Sequence, residues 1–230
     1  MFRKILLVGL LVLVLRVIPV SAAAWENKPK PDSSTLLYLP LDENSGTKAQ
    51  DASGNKYDGE LCNGAKWTEG KFGSGVSFDG VNKGFISIPE KLPNLEKFTV
   101  ECWVKVNKIP DPPYSHIILS PNVYFLMSVS ADGKFLCHSW DEENRWVYGK
   151  EKIVLGQWYH VAMTYNGEKR EVKLYVNGKP DGATTYTGGQ GYVPGNKILL
   201  GINVDFIREQ LNGVVDEVMI SDTVRKFDDR

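Results

Sequence analysis

The stretch "QWYHVAMTYNGEKREVKLYVNGK" (residues 157–179) decides the fold, because two runs of alternating apolar and polar residues flank a turn. Side chains on a β-strand point to opposite faces with a period of two. The pairs Asn166-Gly167 and Asn177-Gly178 readily adopt the positive φ that tight turns need. The pattern predicts a β-hairpin with one buried face, and a site on it must use the opposite row. The predicted buried row is Tyr159, Val161, Met163, Tyr165, Val172, Leu174 and Val176.

Short apolar or alternating runs of this kind recur along the chain from Thr35 onward. They include "GVSFDG", "FTVECWVKV", "VYFLMSVS" and "NGVVDEVMI", and the 22 Gly and 12 Pro are concentrated between such runs. About a dozen strands without a helical stretch are typical of an all-β fold, an antiparallel two-sheet jelly-roll β-sandwich. A repeat of fixed period, which a propeller or solenoid would need, is not visible.

Length and charge narrow the class of protein. At 230 residues with 42% hydrophobic content, the chain is long enough for one well-buried core, and one domain is expected. The net charge is −1, with Lys and Arg scattered along the sequence. A phosphate backbone needs a basic surface, so nucleic acid is not a predicted partner.

The N-terminus has the pattern of a secretory signal peptide. Arg3 and Lys4 precede an apolar run over residues 5–15, and the small residues "VSAAA" follow. The competing interpretation is an uncleaved membrane anchor, but Arg16 interrupts a run already shorter than the roughly 20 apolar residues that a bilayer needs. We therefore predict a signal peptide over residues 1–23.

The remaining boundaries follow from composition. Residues 24–34 are polar, contain two prolines and lack periodicity, which predicts an exposed linker. The folded domain is predicted over residues 35–230. No later stretch resembles a membrane span, so none is expected after signal cleavage.

Three cysteines allow at most one intramolecular disulfide in an exported protein. The sequence leaves all three pairings of Cys62, Cys102 and Cys137 open. The alternative is that the cysteines pack as small hydrophobic residues. Cys102 and Cys137 favour it, because both fall on the apolar positions of their predicted strands.

Several motifs in a fixed order carry a family resemblance. The segments "LYLPLDENSG", "DASGNKYDGEL", "GKFGSGVSFDG", "LGQWYHVAMTYNG" and "LNGVVDEVMI" resemble the LamG-like jelly-roll domain of the concanavalin A-like lectin/glucanase superfamily. The resemblance covers roughly residues 36–224. It implies two packed antiparallel sheets in an extracellular module that binds glycans or proteins, with Trp103 and Trp158 as scaffold residues.

That superfamily includes glycoside hydrolases, which need two carboxylates about 5 to 10 Å apart across the glycosidic bond. A pair on one strand face would appear as Glu-x-Asp-x-x-Glu, which this sequence lacks. Asp216 and Glu217 are adjacent and are predicted to point to opposite faces. A Ser-His-Asp triad assembles across a fold and stays open, although no Gly-x-Ser-x-Gly motif accompanies the histidines. We predict a protein without catalytic activity.

A calcium ion is the predicted cofactor, because the loops are rich in carboxylates and amides and lack His or Cys pairs at zinc spacing. The resemblance implies Ca²⁺ near the loop "DASGN" and the Asp of the final "DEV". The implied ligands are Asp51 and Asp216, with Asn55 and Asp79 as additions. The alternative is that Asp51 and Asp79 close Asx-turns beside glycines.

Carbohydrate recognition requires exposed aromatic rings for the apolar faces of sugars and a few polar groups for their hydroxyls. Such residues cluster in "SWDEENRWVYG", in the Gly-rich "TTYTGGQGYVPG" and in the outward rows of the hairpin. Because β-sandwiches also use aromatic rings for packing, a role in the core is the alternative for each of them. The predicted ligand contacts are Trp140, Arg145, Trp146, Tyr148, His160, Tyr175, Tyr186 and Tyr192.

These patterns predict an exported, non-catalytic module that recognises an extracellular ligand, with a carbohydrate as the preferred class and Ca²⁺ as a cofactor. A protein-interaction or adhesion module is the first alternative, and it would show an exposed apolar patch. A glycoside hydrolase is the second alternative, and it would show two carboxylates converging in a cleft.

The signal peptide predicts that the exported chain begins between Ala23 and Trp25. Intact-mass spectrometry of the exported protein tests this expectation. A mature protein that retains Met1 or Phe2 would show that the segment is not cleaved.

Overall fold

The computed structural model describes residues 28–89, 92–93, 95–111, 113–120, 125–139, 146–186, 197–202 and 209–227. These residues form an all-β sandwich of two antiparallel sheets, which confirms the predicted fold class. The described residues contain no helix with the length and apolar character to cross a membrane. The predicted signal peptide lies outside the described residues.

Sixteen strands are found in the described part of the chain, more than the dozen expected, because edge strands as short as two residues are too brief for alternation to reveal. In chain order they are β1 (Thr35–Leu39), β2 (Lys48–Ala49), β3 (Gly59–Cys62), β4 (Lys66–Glu69), β5 (Ser74–Asp79), β6 (Phe85–Ile88), β7 (Lys97–Val106), β8 (Tyr114–Leu119), β9 (Leu126–Ser130), β10 (Phe135–His138), β11 (Trp146–Tyr148), β12 (Trp158–Asn166), β13 (Glu171–Val176), β14 (Lys179–Thr185), β15 (Ile198–Leu200) and β16 (Asn212–Ser221).

The strands divide into two sheets of eight. Sheet A has the order β14-β13-β12-β7-β16-β5-β4, and β1 also pairs with β16. Sheet B has the order β11-β10-β9-β8-β15-β6-β3-β2. Each sheet has an inner face, which packs into the shared hydrophobic core, and an outer face, which points away from it.

The predicted hairpin is present as β12 and β13, which pair in antiparallel register from Val161 opposite Val176 to Asn166 opposite Glu171. All seven residues of the predicted apolar row are buried in the core, so the predicted row is confirmed. Local alternation was sufficient here because β12 and β13 are regular along their whole paired length.

The two turns of the hairpin differ. Asn177 and Gly178 have φ values of 48° and 74°, as predicted. In the first turn the left-handed residue is instead Arg170, with φ of 51°. Gly167 is needed there for a close approach, because a Cβ at this position would lie 2.6 Å from the carbonyl oxygen of Glu96.

The expectation that only one face of the hairpin is buried is wrong for β12. His160, Ala162 and Thr164 on its outer face are also buried. The C-terminal residues cover this face, and the Phe227 ring centroid lies 5.6 Å from that of His160 and 4.9 Å from that of Tyr175. Alternation within a strand cannot reveal a cover that comes from a distant part of the chain.

The cysteines do not form a disulfide, since all three thiols are free. Cys102 and Cys137 are buried in the core, and burial raises the pKa of both thiols. The packing alternative is therefore confirmed for these two residues. Cys62 is partly exposed on β3.

A β-bulge in β16 changes the direction of two adjacent carboxylates. The pairing register with β7 shifts between Asp216 and Met219, and Glu217 has φ of 52°. Val215 and Val218, three positions apart, both enter the core as a result. Asp216 and Glu217 therefore do not point to opposite faces, as strict alternation predicted, and both turn away from the core.

Replacing Met163 or Leu174 by alanine should lower the free energy of unfolding by roughly 2 to 5 kcal/mol, through lost burial and the cavity left behind. Lys173→Ala, on the outer face of the same hairpin, is the matched control and should cost less than about 1 kcal/mol. Denaturant unfolding measures all three variants. An unchanged midpoint for both core variants would show that the assigned buried row is wrong.

Candidate functional site

The outer face of sheet A is closed by both ends of the described chain. His160 Nε2 lies 2.9 Å from Glu101 Oε2, and both side chains are 1% exposed. Arg225 Nε lies 3.6 Å from Glu101 Oε1, and Arg225 Nη2 lies 3.0 Å from Asp32 Oδ2. This network is covered by Phe227. His160, a predicted ligand contact, is therefore shielded from any ligand in solution.

Glu217 is a further buried carboxylate on this outer face, and it lies at the bulge in β16. Lys28 Nζ is 2.9 Å from Glu217 Oε1 and 2.6 Å from Asp42 Oδ2, and the Tyr38 hydroxyl donates to Glu217. Burial raises the pKa of the Glu217 carboxyl and of the Tyr38 phenol. Partial burial opposes protonation of Lys28, but hydrogen bonds to Asp42 and Glu217 outweigh it and raise its pKa to about 12.

Asp216, a predicted calcium ligand, holds the tip of the β4–β5 hairpin. Its Oδ2 accepts hydrogen bonds from the backbone N–H groups of Lys71 (2.8 Å) and Phe72 (2.9 Å). Burial raises the pKa of the carboxyl to about 7, although these N–H groups act in the opposite direction. A Cβ at Gly70 would lie 2.7 Å from the same oxygen, so only glycine allows this approach.

The other predicted calcium ligands have local hydrogen-bond roles. Asp51 Oδ1 accepts from the Ser53 N–H at 2.9 Å, and Asp79 Oδ1 accepts from the N–H groups of Val81 (2.9 Å) and Asn82 (2.8 Å). These are the Asx-type contacts of the alternative interpretation. Hydrogen bonds from backbone N–H groups lower the pKa of Asp79.

Asn55 is tied to β1, because its side-chain amide donates to the Leu36 carbonyl at 2.9 Å. Asp51 also accepts the backbone N–H of Tyr38 in β1, at 3.0 Å, whereas Asp216 accepts from the tip of the β4–β5 hairpin. Among the residues that the structure describes, no group of three or more His, Cys, Asp or Glu side chains is arranged to hold a metal ion. Calcium binding stays a prediction.

The outer face of sheet B carries four aromatic rings in contact. The Tyr114 and Trp146 centroids lie 5.1 Å apart, Tyr114 lies 5.4 Å from His116, and Trp146 lies 4.6 Å from His138. Tyr114 and Trp146 are partly exposed, whereas both histidines are buried. We call this cluster the aromatic face.

A buried hydrogen-bond network fixes one of these rings. His116 Nδ1 lies 2.8 Å from Ser128 Oγ, and its Nε2 lies 2.8 Å from Glu209 Oε2. The Ser-His-acid order is that of a catalytic triad, but Ser128 is 0% exposed, so a substrate does not reach its hydroxyl. The network instead orients the imidazole against Tyr114.

An apolar floor lies under the aromatic face. Four buried leucines pack there together with the partly buried Phe85, Tyr114 and Trp146. Tyr148, which shares the parity of Trp146 on β11, is 56% exposed at the end of this strand. The result is a rigid base with aromatic side chains at its surface. The leucines are Leu119, Leu126, Leu136 and Leu199.

Two of the eight predicted ligand contacts, Trp146 and Tyr148, lie on or beside the aromatic face. Tyr175 packs against the C-terminal cover of sheet A, and Tyr186 is 5% exposed, with its hydroxyl bonded to that of Tyr165. Burial thus contradicts a loop-wall position for Tyr186. Three predicted contacts lie outside the described residues: Trp140, Arg145 and Tyr192.

The sequence interpretation missed Tyr114, His116 and His138. Tyr114 and His116 alternate with the buried Ser115 and Ile117 at the start of β8, which is the signal that a longer window would have detected. His138 pairs directly with Trp146, but cross-strand pairs become visible only in the assembled sheet.

Known proteins with solved structures share this fold. Domain 4 of AbnA, a GH43 extracellular arabinanase from Geobacillus stearothermophilus solved in complex with arabinotriose, matches 82% of this chain and 92% of its own, with a TM-score of 0.63 and 22% identity. The binding domain of botulinum neurotoxin DC, in complex with SialylT, matches with a TM-score of 0.65 and 16% identity over 84% of this chain and 49% of its own. At these identities the similarity shows a shared fold.

Sequence comparison gives a relative and a family. C-reactive protein 1.1 of Limulus polyphemus is 25% identical over 143 residues, which are 58% of this chain and 59% of that protein, so the match spans less than two thirds of the relative. A laminin G family profile, described as the concanavalin A-like lectin/glucanases superfamily, matches residues 79–229, more than half of the chain. The resemblance noted from the motifs is confirmed, and the chain belongs to the concanavalin A-like lectin/glucanases superfamily.

Proposed function

We propose that this chain is an exported, non-catalytic module that binds an extracellular carbohydrate on the aromatic face of sheet B. The observation that carries the proposal is the pair of partly exposed rings, Tyr114 and Trp146, held 5.1 Å apart above buried histidines. On the outer face of sheet A the central His160 and Glu101 are covered, although Trp158 and Tyr175 are partly exposed nearer its edge.

The chemistry of the aromatic face suits a sugar. The apolar C–H face of a sugar ring packs on an aromatic side chain, and few polar groups are then needed to fix its hydroxyls. Trp146 and Tyr148 carry an indole N–H and a phenol that donate hydrogen bonds at such a surface. Because Tyr114 and Trp146 are wedged against His116 and His138, little side-chain entropy is left to lose on binding.

The structural neighbours support the class of ligand. The arabinanase domain was solved with arabinotriose and the neurotoxin binding domain with SialylT. For this chain a glycan is therefore the preferred partner by analogy of fold, and an extracellular protein is the alternative. The arabinanase is extracellular, in keeping with the export proposed for this chain.

The proposal of a non-catalytic role rests on the carboxylates. Glycoside hydrolysis needs two of them about 5 to 10 Å apart across the bond that is cleaved. Of the described carboxylates, Glu209 is the one that contacts the aromatic face, where it is hydrogen-bonded to His116. Asp216 and Glu217, on the outer face of sheet A, are both 0% exposed, so a glycosidic bond cannot reach them.

Replacing Trp146 or Tyr114 by alanine should weaken binding of a glycan selected on an array by roughly 30-fold, the loss of about 2 kcal/mol expected for a central aromatic contact. Titration calorimetry of each variant measures the effect. Tyr175→Ala, on the outer face of sheet A, is the matched aromatic control and should bind as the wild type does. Equal affinities for all proteins would overturn the assignment of the site.

Two further measurements, a hydrolysis assay and a protein-capture experiment, distinguish the alternatives. Release of reducing sugar from a bound glycan would establish a hydrolase and overturn the non-catalytic proposal. Capture of an extracellular protein, with no glycan bound at any position, would overturn the carbohydrate assignment in favour of a protein-interaction module.

The calcium prediction has its own test. An ion shared by Asp51 and Asp216 should stabilise the folded state by roughly 2.7 kcal/mol at about 100-fold excess over Kd. Asp51→Asn keeps an oxygen for the Asx-turn and removes the charge, so it should abolish the gain without removing the turn. Thermal melts in millimolar Ca²⁺ and in EDTA measure the gain. A wild type that melts at one temperature in both buffers would contradict the prediction.

A further inference from the structure

A cleft with a volume of about 230 Å³ lies at the β14 edge of sheet A, where β14 packs beside β11 of sheet B. It is bounded by the segment between β11 and β12 and by the β13–β14 turn. Drug-sized ligands occupy pockets of roughly 300 to 1,000 Å³, so this cleft is suited to a smaller molecule. Its polar lining includes Lys152, Gln157, Tyr159, Asn177, Lys179 and Asp181.

Hydrogen bonds tie the walls of the cleft to each other. Asp181 Oδ1 accepts from the backbone N–H groups of Lys150 (3.1 Å) and Glu151 (3.2 Å). The Tyr159 hydroxyl accepts the Val154 N–H at 2.9 Å. These bonds join the β11–β12 segment to β12 and β14, so the cleft is formed before any ligand enters, which lowers the entropy lost on binding.

Several polar groups of the lining retain hydrogen-bonding capacity. The Tyr159 hydroxyl accepts one bond and keeps its own hydrogen to donate. Within the described part of the chain, the Gln157 side chain makes no hydrogen bond and Lys179 has no ion-pair partner. Asp181 is 4% exposed, and its Oδ2, packed against Gly149, has no hydrogen-bond partner among the described residues. That oxygen is enclosed, so the groups that a ligand can reach are the Tyr159 hydroxyl and the side chains of Gln157 and Lys179.

The charges of the lining cancel. The charged lining residues are two cations, Lys152 and Lys179, and two anions, Glu151 and Asp181. Their formal charges sum to zero, so the cleft presents donors and acceptors without a net charge. Each hydroxyl of a sugar is both a donor and an acceptor, which matches this mixture. Val154, Val176 and Pro180 add apolar surface for C–H groups.

We infer that this cleft is a second saccharide site, one that takes a single uncharged sugar unit. Its lining residues differ from those of the aromatic face, although β14 packs beside β11. A chain with two such sites would hold a polysaccharide by two contacts and gain affinity from their linkage.

Titration of the ¹⁵N-labelled protein with arabinose, galactose and glucose tests the inference. The expected result is saturable shifts of backbone amides in residues 150–159 and 176–181 with at least one of these neutral sugars. Gln157→Ala and Lys179→Ala should each raise Kd about three- to tenfold, the effect of one lost hydrogen bond. Lys66→Ala, on β4 at the opposite edge of sheet A, is the matched control and should leave Kd unchanged.

Charge and independence provide two further readouts. Glucuronate and glucosamine should bind no more tightly than glucose, and added salt should not change Kd, because the lining charges cancel. Trp146→Ala should leave the amide shifts in the cleft unchanged. The proposal for the aromatic face and the inference about the cleft can therefore be rejected separately. Any of three results would overturn the inference: no shifts in the two segments with any of these sugars, unchanged Kd in both cleft variants, or tighter and salt-dependent binding of a charged sugar.

Discussion

The outer face of sheet A carries three carboxylates that must be paired, those of Glu101, Asp216 and Glu217, each at most 1% exposed. Burying a charge without a partner costs far more free energy than a surface contact returns. The partners include Lys28 near the start and Arg225 near the end of the described chain, together with backbone N–H groups of the β4–β5 hairpin. Both ends are thus fastened across this face, and its central carboxylates are buried.

Under the proposed function, recognition falls to surfaces outside this buried centre. On sheet B the partly exposed Tyr114 and Trp146 sit on a base of buried leucines and histidines, and at the edge of sheet A a polar cleft is held open by Asp181. Both surfaces are rigid for the same reason, because strands and backbone hydrogen bonds fix the groups beneath them. The fold thereby separates the residues that stabilise it from those available to a ligand.

Local alternation predicted the hairpin rows and the sandwich, because the hydrophobic pattern of a strand depends on its two faces alone. It could not predict that His160 is covered, since the cover comes from Phe227, 67 positions further along the sequence. Nor could it predict the direction of Glu217, because a bulge with φ of 52° interrupts the period. Trp146 was predicted from the aromatic cluster in "SWDEENRWVYG", whereas its neighbour His138 required knowledge of strand pairing.

The central claim is that the outer face of sheet B, and not that of sheet A, binds the glycan. A crystal structure of the chain with the tightest glycan from an array tests it most directly. The account predicts a sugar ring packed on Tyr114 and Trp146, with the C-terminal residues still in place over His160. A sugar bound on sheet A beside Tyr175, with Phe227 displaced and the aromatic face empty, would contradict it.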